Sequence, residues 1–348
     1  MRRRGNRMPA APQPWPGRRP GPLTYAVLGF WALVCLFPLY WVAVTSLKDG
    51  DAIVTGPRYL PFVDFRPSLD SWAFVLTDPV QDLLGRFVNS TVVAFASTAL
   101  ALAAGGMAAY ALTRLRCAIP WRLAAIGLAG SALATEALLS QQQRLPALIG
   151  LALVLFVLPW FPILRRGAAV GSRTIRIAIL ASRMVPPVLT VVPLYLVAQT
   201  LEILDTRGGL VLVYAAVNLP VALWLLHSVL GARPTEQEEA ARLDGASHAR
   251  ILVEILAPMV ARGIAGAGLI VFALCWTEYL FAAYLTTDAA QTLPPLVVGQ
   301  ISTGEAQVGG EQREWARFSA AIVLMVLPLL PLTAFAVRHF ARAVPRRG

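Results

Sequence analysis

The sequence predicts an all-α polytopic membrane protein, and three observations predict it. First, 57% of the 348 residues are hydrophobic and only 14% are charged, whereas a soluble domain carries about 25% charged residues. One soluble core cannot hide that much apolar surface. Second, apolar runs approaching the ~20 residues needed to cross a bilayer recur along the chain, and their number predicts about eight transmembrane helices. Third, arginine is concentrated in alternate gaps between those runs, the pattern that sets orientation in a membrane. The net charge of +11 is almost entirely arginine, since Lys48 is the single lysine. Its placement between apolar runs argues for membrane lipid rather than nucleic acid as the partner.

Residues 1–22 hold Arg2, Arg3, Arg4, Arg7, Arg18 and Arg19 among prolines and glycines, and read as a disordered basic tail. The run 23–45 is long enough to span, and no small-x-small cleavage pattern follows it. It reads as a retained helix rather than a cleaved signal. Residues 46–86 are polar, with Pro57, Pro61, Pro67 and Pro79 and several aspartates, and read as an external loop. Further runs cover 87–113, 123–140, 146–164, 177–201, 208–230, 259–285 and 317–337.

Arg114, Arg116 and Arg122 follow one run, Arg165, Arg166, Arg173 and Arg176 another, and Arg338, Arg342, Arg346 and Arg347 close the chain. The opposite loops carry Asp49, Asp51, Asp64, Asp70, Asp78, Asp82, Glu202, Asp205, Asp288 and Glu305. The positive-inside rule places both termini in the cytoplasm and requires an even number of spans. Eight satisfies it. Six also does if 123–164 lies in the interface, but the brief Gln141-Gln142-Gln143-Arg144 turn between two apolar arms favours a transmembrane hairpin. Residues 286–316, with Gly304, Gly309 and Gly310, read as a second external loop.

Residues 231–258 break the apolar pattern with charges of both signs. Thr235 and Glu238 have capping-box spacing, so a helix is expected to start there. Glu236, Glu238 and Glu239 suit its positive end, and Ala240, Ala241 and Leu243 give it a small apolar face. Gly245 stops it. A second short helix is expected from Ser247 to about Leu256, with Pro258 opening the next membrane helix. A helical hairpin with a small tip is suited to docking in another protein's groove.

The order Glu239-Ala240-Ala241, three residues, Gly245, nine residues, then Ile255 and Pro258 resembles the EAA loop of ABC importer permeases. Ala257 stands where that motif usually has leucine. FVNSTVVAF at 87–95, AAYALTRLR at 108–116, RMVPPVLTVVPLYL at 183–196, the segment 208–226 and the region 278–294 are similar to the carbohydrate branch, the maltose and glycerol-phosphate type. The resemblance implies a type I permease bundle of six family helices, so 123–164 would be an inserted hairpin. It implies a multi-pass inner-membrane protein that is not itself an enzyme. Glu239, Ala240, Ala241 and Gly245 would be the docking tip for a separate ATP-binding subunit, with Asp244 as polar companion. A second permease subunit and an extracytoplasmic sugar-binding protein are further implied partners.

The chain contains no G-x-x-x-x-G-K-[ST], so any ATP is used by a partner and no cofactor is expected on this chain. Asn218, ahead of Leu219-Pro220, reads equally as satisfying a proline-freed carbonyl or as lining a path. Trp276, Glu278 and Tyr279 pair aromatic faces with an intramembrane acid, which suits a sugar. Glu136 sits near a span end and reads as reaching water. His227, His248 and His339 are scattered, so no metal site is expected. Gly245-Ala246-Ser247-His248 lacks the acid a serine nucleophile needs. The alternatives are a secondary transporter driven by an ion gradient, against which the EAA-type loop argues, and an intramembrane enzyme, against which the lack of a convergent His/Asp/Ser set argues.

Overall fold

A computed structural model describes residues 21–77, 82–115, 176–302 except 178 and 180, and 311–341. The hairpin 123–164, most of the 1–22 tail and residues 303–310 lie outside them. The described residues are nearly all helical: α1 (Pro22–Thr45), α2 (Gly50–Val54), α3 (Asp70–Thr77), α4 (Leu83–Arg114), α5 (Pro187–Thr200) and α6 (Arg207–Gly231) come first. There follow α7 (Glu236–Leu243), α8 (His248–Met259), α9 (Ala261–Trp276), α10 (Leu280–Leu285), α11 (Leu293–Ser302), α12 (Glu311–Val326) and α13 (Leu329–Ala341). Among them, four helical stretches are long and apolar enough to cross a membrane, namely α1, α4, α6 and Glu314–Phe335 across α12 and α13, or five if α8 and α9, bent by 85°, form one span.

Helix α4 spans 32 residues and carries Ser97, Ala101, Gly105 and Ala109 at four-residue spacing, all buried. That spacing keeps one small-residue ridge on one face, which lets two backbones approach. The ridge meets α6. A β-carbon on Gly105 would sit 3.0 Å from the Leu223 backbone nitrogen and 3.1 Å from the Ala222 side chain. Helix α9 closes the trio, with Phe272 against Phe95 (ring centroids 4.7 Å apart) and Trp276 against Phe87 (5.5 Å). Gly105→Leu is expected to force α4 from α6. Overpacking of this kind costs roughly 1–3 kcal/mol, a Tm loss on the order of 5 °C in detergent. An unchanged Tm would mean that the ridge does not hold the pair.

Helix α1 is apolar on every side, is almost wholly exposed, and contacts α12. Most of this apolar surface has no partner within the described residues and suits a bilayer or a second membrane helix rather than water. A satellite cluster of Val75, Leu83, Leu293, Val297, Ala320 and Ala321 ties α3, α4, α11 and α12 together.

Three expectations about elements change. The 177–201 run is interrupted by a turn at 183–185, and α5 starts at Pro187. The paired prolines account for this, because the residue before a proline is driven out of the helical region. The 259–285 run is two helices, α9 and α10, separated at 277–279. Residues 286–316 are not all loop: Leu293 and Val297 of α11 are buried, so this segment uses its apolar residues for packing.

At the end of the bundle opposite the 231–258 loop, Asp205 fastens two connections together. Its carboxylate accepts the backbone N–H groups of Thr287, Asp288, Ala289 and Ala290, and the Thr287 hydroxyl. Asn89 donates to the Ala289 and Gln291 carbonyls at 3.1 and 3.0 Å and accepts from Arg207 Nε at 2.7 Å, and Ser90 Oγ accepts from Leu293 N. Burial alone would raise the Asp205 carboxyl, but the N–H donors of Ala290, Ala289, Thr287 and Asp288 outweigh it and hold it below the usual range. A depressed folded value means that this contribution is complete above the ordinary carboxylate pKa of about 3.9 and is lost as pH falls through the folded value. Asp205→Asn is therefore expected to loosen residues 287–290 at neutral pH by roughly 1–2 kcal/mol. Amide exchange there should quicken in the variant at pH 7, and in the parent only in acid. Equal exchange in both proteins at pH 7 would refute the clamp.

Candidate functional site

The 231–258 segment forms a helical hairpin with one face held to the bundle and the other free. Helix α7 begins after Thr235 and carries Glu236, Glu238 and Glu239 in its first turn, where negative charge meets the positive end of the helix. The expected capping box does not form. Thr235 has helical φ and ψ and its side chain caps no N–H; its hydroxyl donates to Glu239 Oε1 at 2.8 Å. Glu238 is drawn away instead by a stronger partner. Arg114, the last residue of α4, donates from Nε to both Glu238 oxygens at 2.8 and 3.1 Å, and from Nη2 to the Leu230 and Arg233 carbonyls at 3.1 and 3.2 Å. The two side chains are only 8% and 2% exposed. One guanidinium thus joins the end of α4, the end of α6 and the start of α7: its Nε–H is shared by the two carboxylate oxygens, and its Nη2 serves the two carbonyls.

Helix α7 ends as the sequence requires. Gly245 has φ +81°, its N–H donates to the Arg242 carbonyl, and the Ala246 N–H donates to the Ala241 carbonyl. This pair of bonds is a Schellman stop, which needs a left-handed residue at that position. Asp244 caps the helix through its N–H to the Ala240 carbonyl. The Ser247 hydroxyl then accepts from Arg250 N and starts α8. Residues Ile251–Leu256 form a π-helical turn, and the chain breaks at Val260 before α9. Pro258 thus lies inside α8, and the membrane helix opens three residues later, at Ala261.

Ile251 and Leu256 are fully buried against Ala109, Tyr110, Leu226 and Leu230. Tyr110 Oη lies 2.9 Å from His248 Nδ1. Two helix ends therefore fix α8, and the ion pair fixes α7. The opposite face is solvent-facing: Glu239, Ala240, Asp244 and Gly245 are exposed, Ala241 is half-buried, and Leu243 is 90% exposed. A β-carbon on Gly245 would meet nothing within 4 Å. The tip is a small, open surface with one protruding leucine.

The other residues singled out from the sequence are not gathered into one cavity. Asn218 is buried in α6 and fully engaged. Its amide donates to the Tyr214 carbonyl at 3.0 Å and Cys275 Sγ at 3.3 Å, and its oxygen accepts from Arg183 at 3.2 Å. Arg183 also donates to the Val217 carbonyl at 3.0 Å. Trp276 is enclosed, donating to the Met325 carbonyl at 2.8 Å. Glu278 is not inside a span helix but at the α9–α10 break, where its carboxylate accepts from Leu280 N and Phe281 N and caps α10. Tyr279 beside it is exposed. Among the described residues no group of three or more His, Cys, Asp or Glu could hold a metal ion.

Sequence reasoning missed Arg114, which it read only as an orientation charge, and the roles of Tyr110, His248, Arg183 and Asp205. The Arg114–Glu238 pair is 124 residues apart, so no local spacing announces it. The one available signal was a third acid in a helical turn that needs fewer.

Comparison with known proteins gives a consistent answer. Residues 168–346 match the family described as the binding-protein-dependent transport system inner membrane component. The chain is 27% identical to the probable ABC transporter permease protein y4oR of Sinorhizobium fredii, over 90% of this chain and 91% of that one. It is 26% identical to the diacetylchitobiose uptake system permease protein NgcG of Streptomyces coelicolor, over 94% and 88%. Against the trehalose/maltose transport system permease protein MalG of Thermococcus litoralis it is 26% identical over 86% of each. In fold it resembles a chain of a bacterial ABC transporter involved in the import of the acidic polysaccharide alginate, with a TM-score of 0.60 at 19% identity over 91% of this chain and 95% of that one. The small-tipped hairpin, the helical bundle beneath it and the match over 168–346 agree, and the chain belongs to the binding-protein-dependent transport system inner membrane component family.

Proposed function

We propose that this chain is a permease subunit of an ATP-driven importer for a sugar or polyol, and that Glu239, Ala240, Ala241, Asp244 and Gly245 dock it to a separate ATP-binding subunit. The observation that carries this reading is the two-faced loop: one face buried on α4 and α6, the other presenting an open tip with Leu243 90% exposed. A push on such a tip is delivered to the ends of two spanning helices through Arg114, Ile251 and Leu256. The sequence has no phosphate-binding GK[ST], which assigns ATP hydrolysis to the partner. The sugar class rests on the names of relatives from a diacetylchitobiose uptake system and a trehalose/maltose transport system.

In this reading the loop end and both termini face the cytoplasm, and the Asp205 end faces a sugar-binding protein outside the inner membrane. A second permease subunit completes the path; of the residues singled out from the sequence only the exposed Tyr279 is assigned to it, because Asn218, Trp276 and Glu278 are engaged in holding the bundle together. The chain itself carries out no covalent chemistry. The test is reconstitution of the permease with its ATPase, second permease and binding protein in liposomes, screened over sugars and polyols. Uptake that requires ATP and loaded binding protein is expected. Uptake driven by a sodium or proton gradient without ATP would overturn the reading in favour of a secondary transporter.

A further inference from the structure

The loop after α1 folds back on the membrane-facing helix instead of leaving it. Tyr40 and Trp41 lie four or five residues before the Thr45 end of α1, roughly 6–8 Å inside it. Tyr40 Oη donates to the Tyr59 carbonyl at 2.6 Å, and the Trp41 and Tyr59 rings are 5.3 Å apart. Residues 60–65 then turn tightly. Asp64 Oδ2 accepts from Tyr59 N and Leu60 N, both at 2.9 Å, and Phe62 N donates to the Phe65 carbonyl at 2.9 Å. Phe65 is buried against Val44 and Ala52, and the Lys48 ammonium sits 4.3 Å from the Trp41 ring centre and 5.6 Å from that of Phe65. The base of the turn is therefore fixed, and its tip points outward. Phe62 is 86% exposed and Val63 77%, with Leu60 also exposed.

Phe62 has φ +67°, a left-handed conformation that a bulky side chain rarely adopts and that glycine would adopt without strain. Strained residues persist where the surroundings over-determine them, and they cluster where function needs them. A tip in water has no use for a strained, exposed phenylalanine. Held to the exposed apolar helix α1 through Tyr40 and Trp41 and flanked in sequence by Arg58 and Arg66, the apolar tip is suited to acyl chains and the arginines to headgroup phosphates. We propose that the 60–63 turn is a preorganised lipid wedge, inserted in the leaflet at the Thr45 end of α1 and anchoring the external segment 46–77 to the membrane surface. Because the turn is already rigid, insertion loses little conformational freedom. The proposal needs α1 in the bilayer, but not the ATPase assignment.

The test uses nitroxide labels at Phe62→Cys and Val63→Cys, with Asp70→Cys as aqueous control. The three native cysteines are replaced by alanine in the assembled transporter, which is held in phosphatidylethanolamine and phosphatidylglycerol nanodiscs. Oxygen should relax the labels at 62 and 63 more than a water-soluble nickel chelate does, and the reverse should hold at 70. Greater relaxation by nickel at 62 and 63 would overturn the wedge. Shielding from both reagents would also overturn it, because the tip would then lie against a protein. In a second variant, Phe62→Gly with the label at 63, the strain is relieved and the label should move to water; an unchanged ratio would contradict the proposal. The native chain gives an independent check by photolabelling with diazirine phospholipid. Adducts on 60–63 are expected, and adducts confined to α1 would count against it.

Discussion

Replacing Arg114 by alanine is expected to free the 231–258 loop from the bundle and abolish transport while leaving the protein inserted. The Arg114 and Glu238 side chains are 8% and 2% exposed, so the carboxylate left behind is buried without its partner. Removing one member of such a pair costs about 3–5 kcal/mol. The same guanidinium satisfies the Leu230 and Arg233 carbonyls, which adds to the loss. If the ATPase binds only the held loop, that energy lowers the competent fraction by about a hundredfold or more. Arg114→Lys should recover little, since an ammonium cannot reach the Glu238 carboxylate and the Leu230 and Arg233 carbonyls at once as the guanidinium does. The double variant Arg114→Met with Glu238→Leu should be more stable than Arg114→Ala, because no charge is stranded. Thermal unfolding in detergent and ATP-driven uptake in liposomes measure the two effects separately. Wild-type uptake by Arg114→Ala would remove the ion pair from the account.

Gly245→Asp and Glu239→Arg are each expected to abolish transport by a different route, with insertion and bundle stability retained. Both positions are exposed, and a side chain at Gly245 finds open space. Aspartate is among the residues that best tolerate a left-handed backbone, so the Schellman stop survives. The damage falls on the partner surface, where a new charge is desolvated without a counter-ion. A penalty of several kcal/mol corresponds to an affinity for the ATPase weaker by about two to three orders of magnitude. Gly245→Val adds backbone strain, since a β-branched residue resists φ +81°, and this variant should also lower Tm. Co-purification of the ATPase with each variant provides the readout. If Gly245→Asp and Glu239→Arg both held the ATPase and transported normally, the tip would not be the contact.

The fold class was legible because composition and the apolar period are local properties. Helices α1, α4 and α6 follow the apolar runs closely, and Gly245 announced its stop. What stayed hidden was long-range or cooperative. Glu238 looked like half of a capping box because its spacing from Thr235 fits; only the fold brings Arg114 to it across 124 residues. Glu278 looked intramembrane because hydropathy averages over the break at 277–279, where the acid caps α10. The 286–316 segment looked like loop because its polar residues and its glycines, Gly304, Gly309 and Gly310, outweighed the short apolar stretch of α11. The resemblance nominated the proposed docking tip, and the fold supplied what holds that loop to the bundle.

The central claim is that the open face of α7 is covered by the ATPase. Leu243 tests it most directly, since it is 90% exposed and ends α7 beside Asp244 and Gly245. A Leu243→Cys permease lacking its native cysteines should react readily with a water-soluble maleimide on its own. In the assembled transporter it should be protected, and a short bifunctional maleimide should join it to the ATPase subunit. Undiminished labelling in the complex, with no cross-link to the ATPase, would contradict the account.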